Sequence, residues 1–415
     1  MDMKPPRPPL SERQRILFVD DEELVLRGMH RILHGHESHW DMVFEKSALD
    51  GLRAMERGRF DVVISDMRMP GMNGAQFLGE VARLYPQTIR IALSGYADRE
   101  VILECLNNAH QYLTKPCDAQ MLEHVLLRLT ELVRSGKSAS IRHLLSRCTE
   151  LPSVPDLYSE IVELIGKPDC VVDDIGVIVS QDPAMSTQVL KLVNSAFFGL
   201  GRKISEPNDA VLFLGVDTIK SLVLGAHLFK PTSKPLPTAF SLPRLWAHCV
   251  ACADASKRIA LQLGANHATA NEAYLAGLLH DIGKLLLNAN MPLECEEIAR
   301  RYRAEPVPLI DAERVVLGVN HAELGGYFLG LLGLPPSVVE AVTHHHDPES
   351  AVDRDSIVLA AMHIGNAVAG SVRPAEAYPV PSRIHAEFLK ECGLESDVAV
   401  WCQTLGDWAV EPAGV

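Results

Sequence analysis

The feature that most constrains the fold is a short apolar run that ends on an acid. Residues 62–65 read Val-Val-Ile-Ser, Asp66 follows them, and Pro70 and Gly71 come soon after. Such a run favours a strand buried on both faces of a parallel sheet, and the Pro-Gly pair marks a turn. Taken alone, an aspartate before a loop is more often a cap or turn residue. Ligands of open α/β sheets bind at the carboxyl ends of strands, so Asp66 is also placed for chemistry.

Other short apolar runs end on polar residues that complement Asp66. They are residues 16–19 before Asp20 and Asp21, residues 89–93 before Ser94, and residues 111–114 before Lys115. Three carboxylates at one sheet edge raise one another's pKa unless a cation neutralises them. Mg2+ is the simplest such cation, because it prefers oxygen ligands and keeps water sites for a phosphate group. A hydroxyl and an ammonium are groups that bind phosphoryl oxygens.

The order and spacing of these motifs resemble the receiver domain of two-component response regulators over about residues 14–135. The matching motifs are the acid pair at 20–21, Ser-Asp-Met-Arg-Met-Pro-Gly-Met-Asn-Gly from Ser65, Leu-Ser-Gly-Tyr-Ala-Asp from Leu93 and Tyr-Leu-Thr-Lys-Pro from Tyr112. The resemblance implies a doubly wound α/β domain that receives a phosphoryl group from a sensor histidine kinase or a phosphotransfer protein.

The resemblance also assigns a role to each matched residue. Asp66 is expected to accept the phosphoryl group and to bind Mg2+. Its expected partners are the Mg2+ ligands Asp20, Asp21 and the carbonyl of Arg68, the switch residues Ser94 and Tyr112, and the phosphate contact Lys115. Tyr112 is expected to change rotamer together with Ser94.

The composition limits the functions open to the chain. Its 415 residues allow two or three domains, and its formal charge of −14 argues against an output that binds nucleic acid. The nine cysteines form no dense framework, which indicates reduced thiols in a cytoplasm. The longest apolar stretches, 211–229 and 357–369, are interrupted by charged or polar residues, so we expect no membrane span.

Hydrophobic periodicity divides the chain into segments. After a disordered tail at residues 1–13, residues 14–135 alternate short strands and amphipathic helices, which predicts a flavodoxin-like, doubly wound parallel sheet of five strands. Small polar residues indicate a linker at 136–148. Residues 149–350 repeat apolar positions every 3.6 residues, as is typical of an all-α domain, and residues 351–415 continue as a helical extension.

The helical segment resembles the HDOD domain, a relative of the HD phosphohydrolases, over about residues 145–350. The matching motifs are Leu-Pro-Ser-Val-Pro from Leu151, Ser-Gln-Asp-Pro-Ala-Met from Ser180, Leu-Lys-Leu-Val-Asn-Ser from Leu190 and Ala-Val-Leu-Phe-Leu-Gly-Val from Ala210. We interpret Asn194 and Ser195 in the third motif as a buried polar clamp between helices rather than a catalytic pair.

A histidine and an aspartate, His280 and Asp281, occur in the sequence Leu-His-Asp-Ile-Gly-Lys, on a predicted helix. This form resembles the metal-binding HD superfamily, in which the bound ion activates water for attack on a phosphodiester. The other candidate ligands of a divalent transition metal are His248, His321, His345 and His346. Five histidines at these spacings exceed what hydrogen-bonded core histidines would explain.

Two residues and one missing motif depart from the pattern of active HD enzymes. Asn366 stands where a ligand Asp is expected, and Arg244 stands where binuclear phosphodiesterases tend to carry Glu. The Gly-Tyr-Pro motif of the cyclic-dinucleotide phosphodiesterases is missing after His346. Loss of an anionic ligand weakens a hard-metal site. Three hypotheses therefore stay open: an active phosphohydrolase, a metal or nucleotide bound without turnover, and a structural or interaction role.

Two further motifs are interpreted as structural. Histidines 30, 34, 36 and 39 lie close together but run from a helix into a loop, and we predict that they are solvated surface residues. Cys249 and Cys252 form a Cys-x-x-Cys inside a helical pattern with no second pair, so we predict that they pack as small apolar side chains.

These observations favour a cytoplasmic response regulator whose phosphorylation at Asp66 controls an HDOD output. That output is expected to act on an unidentified downstream protein, and a nucleotide ligand and a homodimer stay open. The alternative is a metal-dependent phosphohydrolase under receiver control. The acidic charge and the absence of a basic helix-turn-helix argue against a transcription factor.

Overall fold

The computed structural model contains two compact units. The first comprises Met1–Ser146 with Asn194–Gly201, and the second comprises Arg147–Val193 with Arg202–Val415. The residues whose structure is described are 13–95, 108–115, 119–134, 138–148, 151–153, 155–167, 170–194, 203–220, 223, 241–304, 307–372 and 385–391.

The first unit contains a five-stranded parallel sheet, which confirms the prediction from the sequence. Its strands are β1 (Gln14–Val19), β2 (Trp40–Glu45), β3 (Val62–Asp66), β4 (Ile89–Gly95) and β5 (Gln111–Lys115). Their order is β2-β1-β3-β4-β5, a doubly wound order in which ligands bind at the carboxyl ends of the strands around the switch between β1 and β3. Every residue of β3 is buried, as its unbroken apolar run predicts.

Helices alternate with these strands. They are α1 (Glu23–Leu33), a 3-10 turn (His34–His36), α2 (Ala48–Arg57), α3 (Gly74–Leu84) and α4 (Ala119–Arg134). Two of them begin with side-chain caps that satisfy free backbone N–H groups. The Ser47 hydroxyl accepts from the amide of Asp50, and Asn73 and Gln76 cap each other's amides at the start of α3.

The segment predicted to be a linker contains a helix, α5 (Ser138–Leu145). Ile141 and Leu144 of this helix are buried, and the Arg142 guanidinium donates to Asp61 Oδ1 at 3.2 Å. Asp61 immediately precedes β3. Helix α5 is therefore tied to the end of β3 that lies opposite Asp66.

The second unit is helical in its described residues. Its helices are α6 (Pro155–Ile165), α7 (Val172–Gln181), α8 (Pro183–Val193), α9 (Pro207–Leu214), α10 (Val216–Lys220), α11 (Leu242–Gln262), α12 (His267–Leu279), α13 (Ile282–Asn290), α14 (Pro292–Ala304), α15 (Leu309–Leu317), α16 (His321–Leu332), α17 (Pro336–His344), a 3-10 turn (Pro348–Ser350), α18 (Ile357–Val372) and α19 (Ala386–Glu391). The last two helices lie in the predicted extension. Asn194 of the predicted polar clamp, which belongs to the first unit, is buried, and Ser195 lies outside the described residues.

The prediction that His280 and Asp281 lie within one helix is wrong. Helix α12 ends at Leu279 and α13 begins at Ile282. The Lys284 amide donates to the Asp281 carbonyl at 2.9 Å, which makes a tighter turn than an α-helix. A Cβ at Gly283 would lie 2.0 Å from the carbonyl oxygen of His321, so glycine allows the His321 backbone to pack directly against this turn.

The clustered histidines were predicted to be solvated surface residues, and the paired cysteines were predicted to pack as small apolar side chains. His30 and His34 are exposed, as predicted. His36 differs, because it stacks on Trp40 and its Nε2 lies 2.6 Å from Glu123 Oε1. Cys249 and Cys252 are buried, in agreement with their predicted packing role.

Among the described residues, no single helix has the length and hydropathy needed to cross a membrane. Helices α15 and α16 pass that test only as a pair, and they are bent by 70° relative to each other. Most residues of α16 are buried inside the second unit.

Candidate functional site

The carboxyl edge of the sheet brings together acids and an ammonium from three strands. The Lys115 Nζ lies 2.7 Å from Asp20 Oδ2 and 2.8 Å from Asp66 Oδ1, and both acids are buried. Asp21 is exposed beside them, and one oxygen of each of the three acids lies within 4.8 Å of the others. Three carboxylates and one ammonium leave excess negative charge, so this oxygen donor set fits Mg2+.

The backbone around Asp66 is fixed by close packing. The Met67 amide donates to the Leu93 carbonyl at 3.0 Å, and the Gly74 amide donates to the Met67 carbonyl at 3.0 Å. A Cβ at Gly74 would lie 2.0 Å from the Asp66 carbonyl oxygen, so helix α3 can begin here only with glycine. Burial raises the pKa of Asp66, and the hydrogen bond from Lys115 opposes that shift.

The predicted switch residues lie on the two strands beyond β3. The register pairs Asp66 with Leu93, so Ser94 follows one residue further along β4, and Ser94 itself pairs with Thr114. The Ser94 and Tyr112 side chains are buried. The Arg68 side chain is exposed, and the binding of Mg2+ by its carbonyl stays a prediction.

The histidine site of the second unit brings together side chains from separate segments. His248 lies within α11, His280 and Asp281 lie between α12 and α13, His321 begins α16, and His345 and His346 follow α17. The first five are at most 4% exposed, and His346 is half-buried. All six predicted ligands therefore meet at one buried site.

One side of this site, called subsite A, consists of His248, His280, Asn366 and Oδ2 of Asp281. His280 Nε2 lies 3.2 Å from His248 Nε2 and 3.4 Å from Asp281 Oδ2. Asn366 Oδ1 lies 3.0 Å from His248 Nε2. Asn366 thus occupies the position expected for a metal ligand but supplies a neutral amide oxygen.

The other side, called subsite B, consists of His321, His345, His346 and Oδ1 of Asp281. His321 Nε2 lies 3.1 Å from His346 Nε2 and 3.2 Å from Asp281 Oδ1. His345 Nε2 lies 3.9 Å from Asp281 Oδ1. Asp281 therefore presents one oxygen to each subsite.

The distances between these donor atoms are close to those between the ligand atoms of a coordinated metal ion. A tetrahedral ion with bonds of about 2.0–2.1 Å holds its ligand atoms about 3.3–3.4 Å apart. Four of the separations given above lie within a few tenths of an ångström of that value, and the separation from His345 Nε2 to Asp281 Oδ1 is 3.9 Å. The donor sets of both subsites therefore fit a transition-metal ion by distance.

Three histidine rings are oriented by acceptors behind them. Nδ1 of His280 donates to the Gly277 carbonyl at 2.7 Å, Nδ1 of His345 donates to the Val342 carbonyl at 2.8 Å, and Nδ1 of His321 lies 2.7 Å from Glu313 Oε2. Because these oxygens can only accept, Nδ1 carries the proton in each ring. The Nε2 atoms therefore face the site, which is how metal-binding histidines are held in proteins.

Charge is distributed unevenly across the site. Burial by itself would raise the pKa of Asp281, but His280 and Lys284 hold that pKa well below the usual range of a carboxyl. Burial lowers the pKa of His280 to about 4, and it holds the pKa of His345 well below the ordinary value of a histidine. Burial would also lower the pKa of His321, but Glu313 outweighs it and raises this pKa to about 9.

Two further residues of the site, Glu313 and Lys284, were not predicted from the sequence. Lys284 lies in the His-Asp motif, three residues after Asp281, and its Nζ lies 3.0 Å from Asp281 Oδ2. Side chains three residues apart on a helix are neighbours, so this contact could have been predicted from the sequence. Glu313 reaches His321 only because α15 and α16 meet at a sharp angle, and helical periodicity does not reveal such a contact.

The space beside Asp281 is small. A cavity of about 10 Å³ is lined by Asp281, Asp182, Trp246 and Cys249, among others. This volume holds about one water molecule. Arg244, which stands where an acid was expected, has an exposed side chain on α11.

Comparison with known families assigns both units. Residues 16–127 match the response regulator receiver domain, and residues 151–348 match the HDOD domain. An uncharacterized protein of Treponema pallidum is 24% identical over 220 residues, which cover 53% of this chain and 42% of that protein. The hydrogenase transcriptional regulatory protein HoxA of Cupriavidus necator is 34% identical over 110 residues, which cover 26% of this chain and 22% of HoxA. The chain thus spans less than half the length of these two curated relatives.

Among solved structures, the MmoQ response regulator of Methylococcus capsulatus aligns with 61% of this chain and 98% of its own, at 23% identity and a TM-score of 0.49. The assignment depends on the two family matches and on the agreement of each match with the fold of its segment. A receiver domain followed by an HDOD domain identifies this chain as a member of the response regulators.

Proposed function

We propose that phosphorylation of Asp66, with Mg2+ bound beside it, controls the output of the HDOD domain in the cytoplasm. The observation that supports this most directly is the contact of Lys115 with both Asp20 and Asp66. In the proposed reaction, an Asp66 oxygen attacks the phosphorus of a donor, a sensor histidine kinase or phosphotransfer protein. The bond from phosphorus to the donor breaks, and Lys115 offsets the charge of the new acyl phosphate. Bound Mg2+ supplies further neutralisation of the phosphoryl oxygens.

The HDOD output in this proposal acts through contacts with another protein or through a ligand held without turnover. Asn366 supplies a neutral amide oxygen at the position where an anionic ligand is expected. The Lys284 ammonium also neutralises part of the Asp281 charge. Each of these features lowers the capacity of the site for two-metal hydrolysis.

The coupling between the two domains can be tested with beryllofluoride, which mimics the acyl phosphate. We expect the mimic to change hydrogen exchange across residues 118–160 and on part of the HDOD surface, because helix α5 is tied to β3 through Arg142 and Asp61. Asp66→Asn is the control, since it should not bind the mimic. Unchanged exchange in the HDOD domain of a protein that has bound beryllofluoride would contradict receiver control.

A second candidate function is a metal-dependent phosphohydrolase regulated by the receiver. The observation that favours it is the pair of subsites that share Asp281. We expect turnover of cyclic dinucleotides and nucleotides with Mn2+ or Zn2+ to stay at the level of the His280→Gln variant. Strong turnover in the wild-type protein that is lost in His280→Gln would establish the enzyme instead.

A further inference from the structure

We propose that the HDOD domain has a binding site for a small zwitterion of the α-amino acid class, distinct from the histidine site. The site is a cavity of about 180 Å³ between α7, α9, α11 and α12, called the four-helix pocket. It is lined by Ser180, Glu206, Pro207, Lys257, Asn271 and Tyr274. None of these residues belongs to the histidine site, and the proposal does not depend on phosphorylation of Asp66.

The walls of the four-helix pocket are joined by hydrogen bonds between helices. The Tyr274 hydroxyl on α12 donates to the Ser180 carbonyl on α7 at 3.3 Å. Asn271, one turn earlier on α12, donates from Nδ2 to Glu206 Oε2 at 2.7 Å. Burial, together with the nearby charges of Asp254 and Glu206, raises the pKa of Tyr274, so its hydroxyl keeps the proton that it donates. The chain itself therefore holds this pocket in shape.

Glu206 is directed into the pocket and not towards its own helix. It is the N-cap residue of α9, a position where a side chain commonly accepts from a free backbone amide. The Glu206 side chain makes no such bond. Its carboxylate instead contacts Asn271 and approaches Lys257, with Oε1 lying 3.8 Å from Nζ. A capping role thus does not explain the position of this carboxylate.

Three polar groups of the pocket keep unused hydrogen-bonding capacity. The separation of 3.8 Å between Lys257 Nζ and Glu206 Oε1 makes an ion pair but is too long for a hydrogen bond. Within the described part of the second unit, neither atom has a hydrogen-bond partner, and Asn271 Oδ1 has none either. The pocket therefore offers one ammonium donor and two oxygen acceptors to a ligand.

The volume of the pocket limits the size of that ligand. One water molecule needs about 10–15 Å³, so a cavity of about 180 Å³ holds considerably more than ordered water. Pockets for drug-sized ligands measure about 300–1,000 Å³. A free amino acid lies between these limits, whereas a dinucleotide exceeds them.

The charges at and beside the pocket balance. Glu206 and Lys257 line it, and on α11 the exposed Asp254 interacts electrostatically with both Arg258 and Lys257. Two acids and two bases give a formal charge of zero. A ligand that is only an anion would face Glu206, and a ligand that is only a cation would face Lys257. A ligand with one group of each sign satisfies both residues.

An α-amino acid has the groups that this arrangement requires. In the proposed complex, its carboxylate accepts from Lys257, and its ammonium donates to Glu206 Oε1 and Asn271 Oδ1. Both groups of the ligand are attached to the same carbon, so they can bridge an ion pair whose members are 3.8 Å apart. Hydrogen bonds between charged groups are stronger than neutral ones. Pro207 and the Tyr274 ring provide apolar surface for the rest of the ligand.

The experiment screens the full-length protein against each of the twenty L-amino acids by thermal shift and measures the Kd of the best binder by calorimetry. We expect at least one amino acid to bind, with or without EDTA. Two analogues of the best binder, one without the amino group and one without the carboxylate, should bind at least about 10-fold more weakly. Each analogue loses a charge-assisted hydrogen bond. AMP and GMP should bind more weakly than the amino acid as well.

Variants locate the binding in the four-helix pocket. Glu206→Gln and Lys257→Met should each raise the Kd of the best amino acid by about 10–100-fold, because each removes one charged partner. Asp209→Asn is the matched control, since Asp209 is exposed on α9 and does not line the pocket. It should change the Kd by less than about threefold. Far-UV circular dichroism of each variant verifies folding.

Several outcomes would overturn the proposal. They are failure of all twenty amino acids to bind, an unchanged Kd in both Glu206→Gln and Lys257→Met, and tighter binding of AMP, GMP or the analogue without the amino group. Each of these results would leave phosphorylation at Asp66 and its exchange signature standing. Failure of this proposal is therefore distinguishable from failure of receiver control.

Discussion

Incubation with acetyl phosphate and Mg2+ is expected to label this protein at Asp66, and Asp66→Asn is expected to abolish the label. The asparagine side chain has no carboxylate oxygen that can attack phosphorus, so the effect should be all or none. The label should be stable in acid and labile to base and hydroxylamine, as an acyl phosphate is. Mass spectrometry of the intact protein and its peptides measures both the extent and the position of labelling.

Two further variants sharpen that prediction. Asp50→Asn changes another aspartate of the same domain, on the exposed part of α2, and should label as the wild type does. Lys115→Met should slow labelling strongly, because Lys115 is the ammonium that contacts both Asp20 and Asp66. Labelling that persists at another residue in Asp66→Asn would show that the phosphoacceptor has been assigned wrongly.

Asp281→Asn is expected to lower the free energy of unfolding of the HDOD domain by about 3–5 kcal/mol in the presence of a chelator. Asp281 is 1% exposed and is the carboxylate that Lys284 contacts at 3.0 Å inside the domain. Removing one partner of a buried ion pair leaves the other charge uncompensated, which costs more than the pair itself contributes. Urea unfolding followed by circular dichroism measures the change.

A double-mutant cycle separates the ion pair from other effects of the substitution. Lys284→Met in the Asp281→Asn background should recover part of the lost stability, because it removes the uncompensated ammonium. Glu297→Gln is the surface control. Its pairs with Arg300 and Arg301 are exposed, and we expect a change of at most about 1 kcal/mol. An Asp281→Asn change no larger than the control would contradict the importance of the buried pair.

The features of this protein that depend on local order along the chain could be predicted from its residues. The apolar runs that end at Asp20, Asp66, Ser94 and Lys115 predict parallel strands, and the carboxyl ends of such strands meet at one edge. The fold and the convergence of those side chains follow from that rule. The motif around His280 likewise marked Asp281 and, together with four spaced histidines, the members of the buried site.

The way in which these residues share protons and charge depends on contacts between distant segments of the folded chain. Glu313 meets His321 because two helices cross at 70°, Asn366 reaches His248 across 118 residues, and Lys284 contacts one oxygen of Asp281 and not the other. The turn at Gly283 replaced a predicted continuous helix because the His321 backbone packs against it. Hydrogen-bond direction and burial depend on distances of a few tenths of an ångström between segments that are distant in sequence. No periodicity in the chain records those distances, so the surroundings of each Asp281 oxygen could be determined only from the folded protein.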